Sequence, residues 1–166
     1  MKIAVLGSGA MGSIYGGFLA ESDENQVTLI DIWKEHMEAV NADGLIIEGP
    51  EGERVIKNFR GLVRASDAGI MDLVIVSVKV TATEEAMSQA TSLIGQDTMV
   101  LTLQNGLGNI EKLSRVIEAG HILAGTTSFG SFVSGPGRSY RTTPSRGGLE
   151  DAPYKGALVL ATPKGA

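Results

Sequence analysis

Five apolar segments of this 166-residue sequence are each followed by small or polar residues of types that bind ligands. They are a glycine-rich run over 7–12, Asp31, Val78-Lys79, Gln104-Asn105-Gly106 and Thr126-Thr127-Ser128. Backbone amides of a glycine-rich turn bind phosphate, a carboxylate accepts hydrogen bonds from sugar hydroxyls, and an amide side chain both donates and accepts. Ligands of an open parallel sheet lie outside the carboxyl ends of its strands, so we expect all five groups at one rim.

The glycine-rich run is the most informative of these groups because of its surroundings. It follows one apolar run, opens a predicted helix and precedes a second apolar run that ends on Asp31, in the order 3–6, 10–21 and 27–30. In such a unit Gly7 makes the tight turn, Gly9 lets the backbone approach a pyrophosphate, and Gly12 lets the helix pack closely on the strand. The predicted helix also carries small residues on its packing face: Gly16, Gly17 and Ala20. The sequence therefore predicts dinucleotide binding, with these residues at the cofactor: Gly7, Ser8, Gly9, Ala10, Met11 and Gly12.

Three further rim residues each have a binding and a structural interpretation. Asp31 stands where a ribose-binding carboxylate is expected, and its alternative role is to cap the next helix. Lys79, which follows the cofactor-contact candidate Val78, lies before a helix N-terminus that disfavours a cation unless a polar ligand is near; the alternative is a solvated loop lysine. Asn105 can hold a ribose, a carboxamide or a keto group, or it can form an ordinary Asn-Gly turn.

The composition excludes several kinds of site. Cysteine is absent, which removes disulfides and thiolate chemistry, and two isolated histidines do not make a zinc site of the usual kind. His36 is predicted on a helix surface and His121 at the start of a strand, so both are interpreted as structural, and no metal is expected. The net charge of −5 is scattered, which argues against a nucleic-acid partner. With no apolar run of membrane-spanning length and no signal-peptide pattern, the sequence is interpreted as that of a soluble cytoplasmic protein.

The remaining patterns predict a sheet with helices on its faces. Helices are expected over 33–42, over 81–94 with Thr81 or Thr83 as cap, and over 110–118. A hairpin is expected over 45–57, and extended segments over 61–64, 71–78, 99–103 and 121–125. From Thr126 onward, the glycine- and serine-rich pattern with Pro136, Tyr140 and the apolar run 158–160 predicts antiparallel strands that close the sheet edge. The fold class is therefore α/β, a Rossmann-type, doubly wound and mainly parallel sheet with antiparallel strands at its C-terminal edge.

Taken together, the rim motifs resemble those of the ketopantoate reductase (2-dehydropantoate 2-reductase) family. The motifs that carry the resemblance cover essentially the whole chain: 2–17, 76–79, 104–109, 125–130 and 135–137. The resemblance implies NADPH-dependent reduction of 2-dehydropantoate to pantoate, on the way to pantothenate and coenzyme A. It also implies that Lys79 and Asn105 lie beside the nicotinamide and the substrate as the catalytic candidates of this chain.

Two departures from the family pattern shape the expectations. The family usually has a basic residue at the end of the second strand to hold the 2′-phosphate of NADP, whereas this chain has Asp31, which favours NAD unless Lys34 compensates. The family also carries its general-acid lysine and a substrate-binding glutamate in a helical C-terminal domain. We therefore interpret 1–166 as the NAD(P)-binding domain alone, with that helical domain absent from this sequence or supplied by a second chain.

Two other functions remain open from the sequence. The cofactor domain of another 2-hydroxyacid or opine-type dehydrogenase would share these motifs, since substrate choice resides in the other domain. A non-enzymatic nucleotide-sensing module, of the kind that gates potassium transport, has a similar fold and length, although it needs no polar pair such as Lys79 and Asn105. The expected partners are a small 2-keto acid and the missing domain, and the sequence leaves open whether the protein is a homodimer.

Overall fold

The computed structural model describes residues 1–127 and 129–142, and these residues alternate between strands and helices along most of their length. The elements, in chain order, are β1 (Lys2–Leu6), α1 (Ala10–Ala20), β2 (Gln26–Ile30), α2 (Lys34–Asp43), β3 (Leu45–Gly49), β4 (Gly52–Ile56), β5 (Phe59–Leu62), β6 (Leu73–Val76), α3 (Thr83–Gln89), β7 (Met99–Thr102), α4 (Asn109–Ser114), β8 (Ile122–Ala124), β9 (Ser131–Gly135) and β10 (Arg138–Arg141).

Six of the strands form one parallel sheet in the order β5-β2-β1-β6-β7-β8. The chain first builds outward from β1 through β2 to β5, then returns to the other side of β1 and continues through β6 to β8. The strand order therefore reverses between β1 and β6, which is the position where an open α/β sheet leaves a crevice for ligands. This confirms the predicted doubly wound, mainly parallel sheet.

Alternating side chains of β1 enter two separate cores. Ile3 and Val5 pack with α1, α2 and the hairpin on one face, whereas Ala4 and Leu6 pack with α3 and α4 on the other. All four are buried, as expected for a strand covered on both faces. The predicted close packing of α1 is also confirmed, because a Cβ added at Gly16 would lie 2.2 Å from Leu29 Cδ2.

A second, four-stranded sheet covers the outer side of α1. The predicted hairpin is present as antiparallel β3 and β4, and β10 joins β3 in parallel while pairing antiparallel with β9, in the order β4-β3-β10-β9. The expected antiparallel strands after Thr126 therefore exist, but they do not extend the edge of the parallel sheet at β8. Instead, β10 pairs with β3, which is remote in sequence and has a free edge on the side away from β4, and β9 pairs with β10. The apolar run 158–160 lies outside the described residues.

Three predicted elements are shorter in the structure. The helix expected over 81–94 has one α-helical stretch, α3, which lies between two 3-10 turns. Its N-cap residue is Ala82 rather than Thr81 or Thr83, and no side chain of the described residues caps it. β-Branched residues near both ends weaken a continuous helix there. The helix expected over 110–118 ends at Ser114, and the strand expected over 71–78 pairs only over Leu73–Val76. Beyond Val76 the chain bends past the turn at Gly7.

Candidate functional site

The carboxyl ends of β1, β2, β5 and β6 surround a cleft of about 520 Å³ on the side of α3. Residues of the four strand ends and of α3 line it, among them Leu6, Gly7, Asp31, Arg64, Val78 and Gln89. Gly7, Asp31 and Val78 are rim residues that the sequence predicted to lie together, so the structure brings these three to one cleft. Arg64 was not predicted here, because the pairing of β5 beside β2 cannot be read from local sequence.

The three glycines of the loop differ in what surrounds them. Gly7 has φ +92°, and a Cβ there would lie 2.6 Å from the backbone nitrogen of Val78, so both the turn and the close approach require glycine. At Gly12 a Cβ would lie 2.0 Å from the carbonyl oxygen of Gly7 and 3.1 Å from Val5 Cγ1 on β1, so the helix packs closely on the strand as predicted, and on the turn as well. A Cβ at Gly9, by contrast, would meet no atom of residues 1–127 and 129–142 within 4 Å. Gly9 therefore borders open space.

The backbone of the loop presents its helix end to that space. The N–H groups of Gly7 and Ser8 both donate to the carbonyl oxygen of Ile30, at 2.8 and 3.2 Å, which ties the loop to the end of β2. Gly9 is the N-cap of α1, and no side chain of the described residues caps the helix. The first-turn amides, with the positive end of the helix dipole, are thus available to an anion. An open surface at Gly9, uncapped amides and an adjoining cleft fit the pyrophosphate and adenosine of a dinucleotide.

The prediction that His36 lies on a helix surface is wrong, because His36 is fully buried. Its ring stacks on Trp33, with centroids 5.1 Å apart, and both ring nitrogens have polar contacts. Nδ1 accepts a hydrogen bond of 2.9 Å from the Gly137 N–H, and Nε2 lies 3.3 Å from the Ser13 hydroxyl, which donates to the Ser8 carbonyl at 2.7 Å. Sequence spacing missed this contact because Gly137 is 101 residues away.

The environment of His36 favours its neutral form. Burial lowers the pKa of His36 below its usual value, and the Asp31 carboxylate and the Ser8 carbonyl oppose that shift without cancelling it. A ring nitrogen that accepts from a backbone N–H cannot carry a proton itself. The hydrogen-bond geometry and the direction of the pKa shift therefore agree.

Asp31 follows β2 and is half-buried at the cleft. Its Oδ1 accepts a hydrogen bond of 2.9 Å from the Trp33 N–H, while the N-cap of α2 is Trp33. Asp31 therefore shapes the turn before α2 but is not the cap of that helix. Arg64, which lines the cleft, and Lys34, three residues after Asp31, both have carboxylate partners: Arg64 Nε lies 3.2 Å from Asp67 Oδ2, and Lys34 Nζ lies 3.3 Å from Glu38 Oε1.

The loops after β6 and β7 are joined by Gln104. Its Nε2 donates to the Val78 carbonyl at 2.6 Å and to Thr83 Oγ1 at 2.9 Å, and its Oε1 accepts from Thr102 Oγ1 at 3.0 Å. The side chain of Gln104 is thus used within the protein, although the sequence grouped it with the ligand-binding candidates. Thr83, predicted as a helix cap, is instead a buried partner in this link.

Lys79 and Asn105 each lie one residue beyond that link, and both are exposed. Neither side chain has a hydrogen-bond or ion-pair partner among residues 1–127 and 129–142. Asn109 holds the second loop from inside, because its Nδ2 lies 3.2 to 3.4 Å from the carbonyl oxygens of Gln104, Asn105 and Gly106. The backbone of this rim is therefore ordered while its two polar side chains are free. This differs from the glycine loop, where the polar side chains are buried.

Other parts of the rim and surface add little. Thr126 and Thr127 follow β8 at the same edge of the sheet, and Ser128 lies outside the described residues. Within the described part of the chain, no three histidine or carboxylate side chains gather as a metal site would need, and none of the helices is both long and apolar enough to cross a bilayer.

Comparison with known proteins places the chain in a family. Residues 3–153 match the family model described as ketopantoate reductase PanE/ApbA. The 2-dehydropantoate 2-reductase of Pyrococcus horikoshii is 39% identical over 137 residues, which are 82% of this chain and 43% of that protein. The corresponding enzyme of Halobacterium salinarum is 38% identical over 82% of this chain and 45% of its own. This chain thus spans less than half the length of the curated relatives it matches.

Solved structures agree with these sequence relatives. The crystal structure of 2-dehydropantoate 2-reductase from Porphyromonas gingivalis W83 superposes with a TM-score of 0.80 at 25% identity, over 86% of this chain and 52% of that one. A ternary structure of D-mandelate dehydrogenase with NADH and anilino(oxo)acetate superposes with a TM-score of 0.76 at 33% identity, over 85% and 45% of the two chains. The glycine loop, the rim and these matches lead to one conclusion: the chain belongs to the ketopantoate reductase family.

Proposed function

We propose that this chain is the dinucleotide-binding part of an NAD(P)H-dependent reductase that acts on a small 2-keto acid, with 2-dehydropantoate as the first candidate. The observation that carries the proposal is the uncapped N-terminus of α1, which faces open space at Gly9 beside the cleft at the β1–β6 switch point. Such a helix end binds a pyrophosphate through backbone amides alone.

Each cofactor-binding candidate has a distinct part in this proposal. Gly7 and Gly12 shape the loop, and the Ser8 N–H ties it to the end of β2. Gly9 leaves room for the phosphates, and the amides at the start of α1 bind them: Gly9, Ala10, Met11 and Gly12. Asp31 accepts hydrogen bonds from the adenosine ribose in the cleft, where Val78 forms part of the wall. These parts come from the loop and two strand ends within one domain.

The exposed pair Lys79 and Asn105 serves the reacting end in this proposal. The bound nicotinamide supplies the hydride for the keto carbon. The Lys79 ammonium suits the keto or carboxylate oxygens of a 2-keto acid, because it is a cation without a partner among the described residues. The Asn105 amide can both donate and accept, which suits a carboxamide or a keto group. Gln104 positions both residues by bonding the two loops together.

We further propose that the cofactor is NAD(H) rather than NADP(H). The 2′-phosphate of NADP would stand against the Asp31 carboxylate, whereas the 2′-hydroxyl of NAD would donate to it. The two basic side chains nearest in the cleft or in sequence, Arg64 and Lys34, are already paired with carboxylates. Their charges are therefore partly offset before any phosphate arrives.

A second candidate substrate class has its own support. The D-mandelate dehydrogenase that resembles this chain was solved with NADH and anilino(oxo)acetate, which has a carbonyl next to its carboxylate, as a 2-keto acid has, and an aromatic ring. A 2-hydroxyacid dehydrogenase with the same cofactor domain is therefore the alternative.

The test separates binding from turnover on the pure 166-residue chain. Calorimetric titration is expected to show binding of NADH and of ADP-ribose, which has the adenosine and pyrophosphate but no nicotinamide. Oxidation of NADH by 2-dehydropantoate is expected to be little or none, because the family resemblance places the general-acid lysine that protonates the developing alkoxide in the helical C-terminal domain. A folded chain that binds neither ligand would contradict the proposed function, and rapid turnover by the chain alone would contradict its dependence on a further domain.

A further inference from the structure

A buried hydrogen-bond relay connects the glycine loop to the second sheet through His36. Ser13 on α1, His36 on α2 and Gly137 in the β9–β10 turn are all buried, and each contacts the next. We call these contacts, which run from the Gly137 N–H through His36 and Ser13 to the Ser8 carbonyl, the His36 relay. The cofactor-binding roles assigned above do not use it.

The direction of every proton in the relay follows from its two ends. The Gly137 N–H can only donate, so Nδ1 of His36 accepts and carries no proton. The Ser8 carbonyl can only accept, so the Ser13 hydroxyl donates to it. The remaining contact then has Nε2–H of His36 donating to the Ser13 oxygen. The relay is complete only with the neutral ring in this one tautomer.

The end of the relay controls a backbone amide of the loop. The Ser8 carbonyl and the Gly9 N–H belong to one planar trans peptide unit, so they point in opposite directions. Ser13 holds that carbonyl on the buried side, and the Gly9 N–H therefore points toward the other side. Gly9 is the N-cap residue that borders open space.

We infer that His36 is a positioning residue for dinucleotide binding: through Ser13 it fixes the Ser8–Gly9 peptide in the orientation that presents the loop amides to the pyrophosphate. This inference rests on the proposed function. It adds a residue on α2 that does not touch the ligand but sets the geometry of the groups that do.

The inference has a consequence for pH. Protonation would put a second donor on Nδ1 against the Gly137 N–H and remove the acceptor that fixes the ring. The groups around the ring are the Asp31 carboxylate, which favours protonation, the neutral Ser13 hydroxyl from α1, the Ser8 carbonyl, the Trp33 ring and the Gly137 N–H. Because burial keeps the pKa of His36 below its usual value, affinity should fall only on the acid side of about pH 6.5.

The experiment measures the dissociation constant of ADP-ribose by calorimetry at about pH 8 and about pH 5, with circular dichroism to establish that each variant is folded. ADP-ribose is the probe because its pyrophosphate stays fully ionised over this range. Ser13→Ala removes the middle of the relay. His36→Asn retains an acceptor for Gly137, but its side chain is too short to bring an amide donor to the position of Nε2 beside Ser13. His36→Gln places an amide donor toward Ser13 and does not titrate. Ser88→Ala is the matched control, because the Ser88 hydroxyl also donates to a carbonyl, that of Glu84 at 2.8 Å, but on α3.

At about pH 8, Ser13→Ala and His36→Asn are expected to bind ADP-ribose about tenfold more weakly than the native chain, because each removes one hydrogen bond that positions the loop. His36→Gln and Ser88→Ala are expected to bind ADP-ribose nearly as tightly as the native chain. The native chain should weaken toward pH 5, and His36→Gln should not. Native-like affinity in folded Ser13→Ala and His36→Asn would overturn the inference, as would an undiminished pH effect in His36→Gln. Absence of ADP-ribose binding by the native chain at pH 8 would instead count against the proposed function.

Discussion

The two ends of the candidate site are built differently. At the glycine loop, the polar side chains of Ser8, Ser13 and His36 are fully buried and bond to backbone or to each other. At the loops after β6 and β7, the polar side chains of Lys79 and Asn105 are exposed. Close to them, Leu107 is 99% exposed, which is unusual for a leucine. One end is completed by the chain's own interior, and the other is open.

This difference indicates at which end of the candidate site we expect groups from outside the chain to contribute. The glycine-loop end needs no further contact to present its amides, because α1, α2 and the second sheet already pack around it. The β6–β7 end has an ordered backbone, held by Gln104 and Asn109, but its side chains lack partners among the described residues. We therefore expect adenosine and pyrophosphate binding to belong to this chain, and chemistry at the nicotinamide to depend on groups outside it.

The largest expected effect comes from filling the open space at Gly9. Gly9→Val should abolish binding of both NADH and ADP-ribose, a loss of about a hundredfold or more, because its side chain would occupy the place of the pyrophosphate. The fold should be retained, since a Cβ at Gly9 meets no protein atom within 4 Å and φ is −70°. Calorimetric titration with circular dichroism checks both statements.

Gly120→Val is the matched control for this substitution. An added Cβ at Gly120 would also meet no atom of the described residues within 4 Å. Gly120 precedes β8, however, and so lies at the amino ends of the strands, opposite the rim that carries the candidate site. Binding by this variant should equal that of the native chain. Unchanged affinity in folded Gly9→Val would mean that the loop is only a turn.

The second effect sharpens the description of the adenosine end. Asp31→Asn should reduce the preference for NADH over NADPH by about tenfold to a hundredfold, because a like-charge contact in a half-exposed site costs roughly 1 to 3 kcal/mol. Asparagine retains an oxygen that can accept from the Trp33 N–H, so the turn before α2 should persist. The measurement is the pair of dissociation constants for the native chain and the variant. Tighter NADPH binding by the native chain, with no gain in the variant, would show that Asp31 only shapes the turn.

The smallest expected effect tests whether the glycine-loop end and the β6–β7 end of the candidate site are independent. Gln104→Met removes the bonds to the Val78 carbonyl and to Thr83 Oγ1, which should lower the free energy of unfolding by about 1 to 3 kcal/mol. Affinity for NADH should fall a few-fold, about 1 kcal/mol, because Lys79 and Asn105 are no longer held together, whereas affinity for ADP-ribose should not change. Denaturant unfolding and the two titrations provide the data. Equal weakening of both ligands would mean that the two ends of the site are not independent.

Local sequence was sufficient to predict the elements whose physics is local. The glycine loop was predictable because a tight turn at Gly7 and close helix packing at Gly12 each require glycine, and both positions fall within one six-residue run. The hairpin was predictable because strand, turn and strand are contiguous, and the buried parallel strands because their apolar residues are continuous. Membership of the family follows from the same rim motifs. The assigned roles of Lys79, Asn105 and Asp31 stay predictions.

Tertiary structure decided the features that depend on residues far apart in sequence. His36 is buried because Gly137, 101 residues later, packs on α2, and the pairing of β10 with β3 that brings it there has no local signal. Arg64 reaches the cleft only because β5 pairs beside β2. The helix predicted over 81–94 is α-helical only over Thr83–Gln89, and its first residue, Thr83, bonds to Gln104, 21 residues later in the sequence. Local sequence thus determined the glycine loop, while contacts between distant segments determined what holds that loop in place.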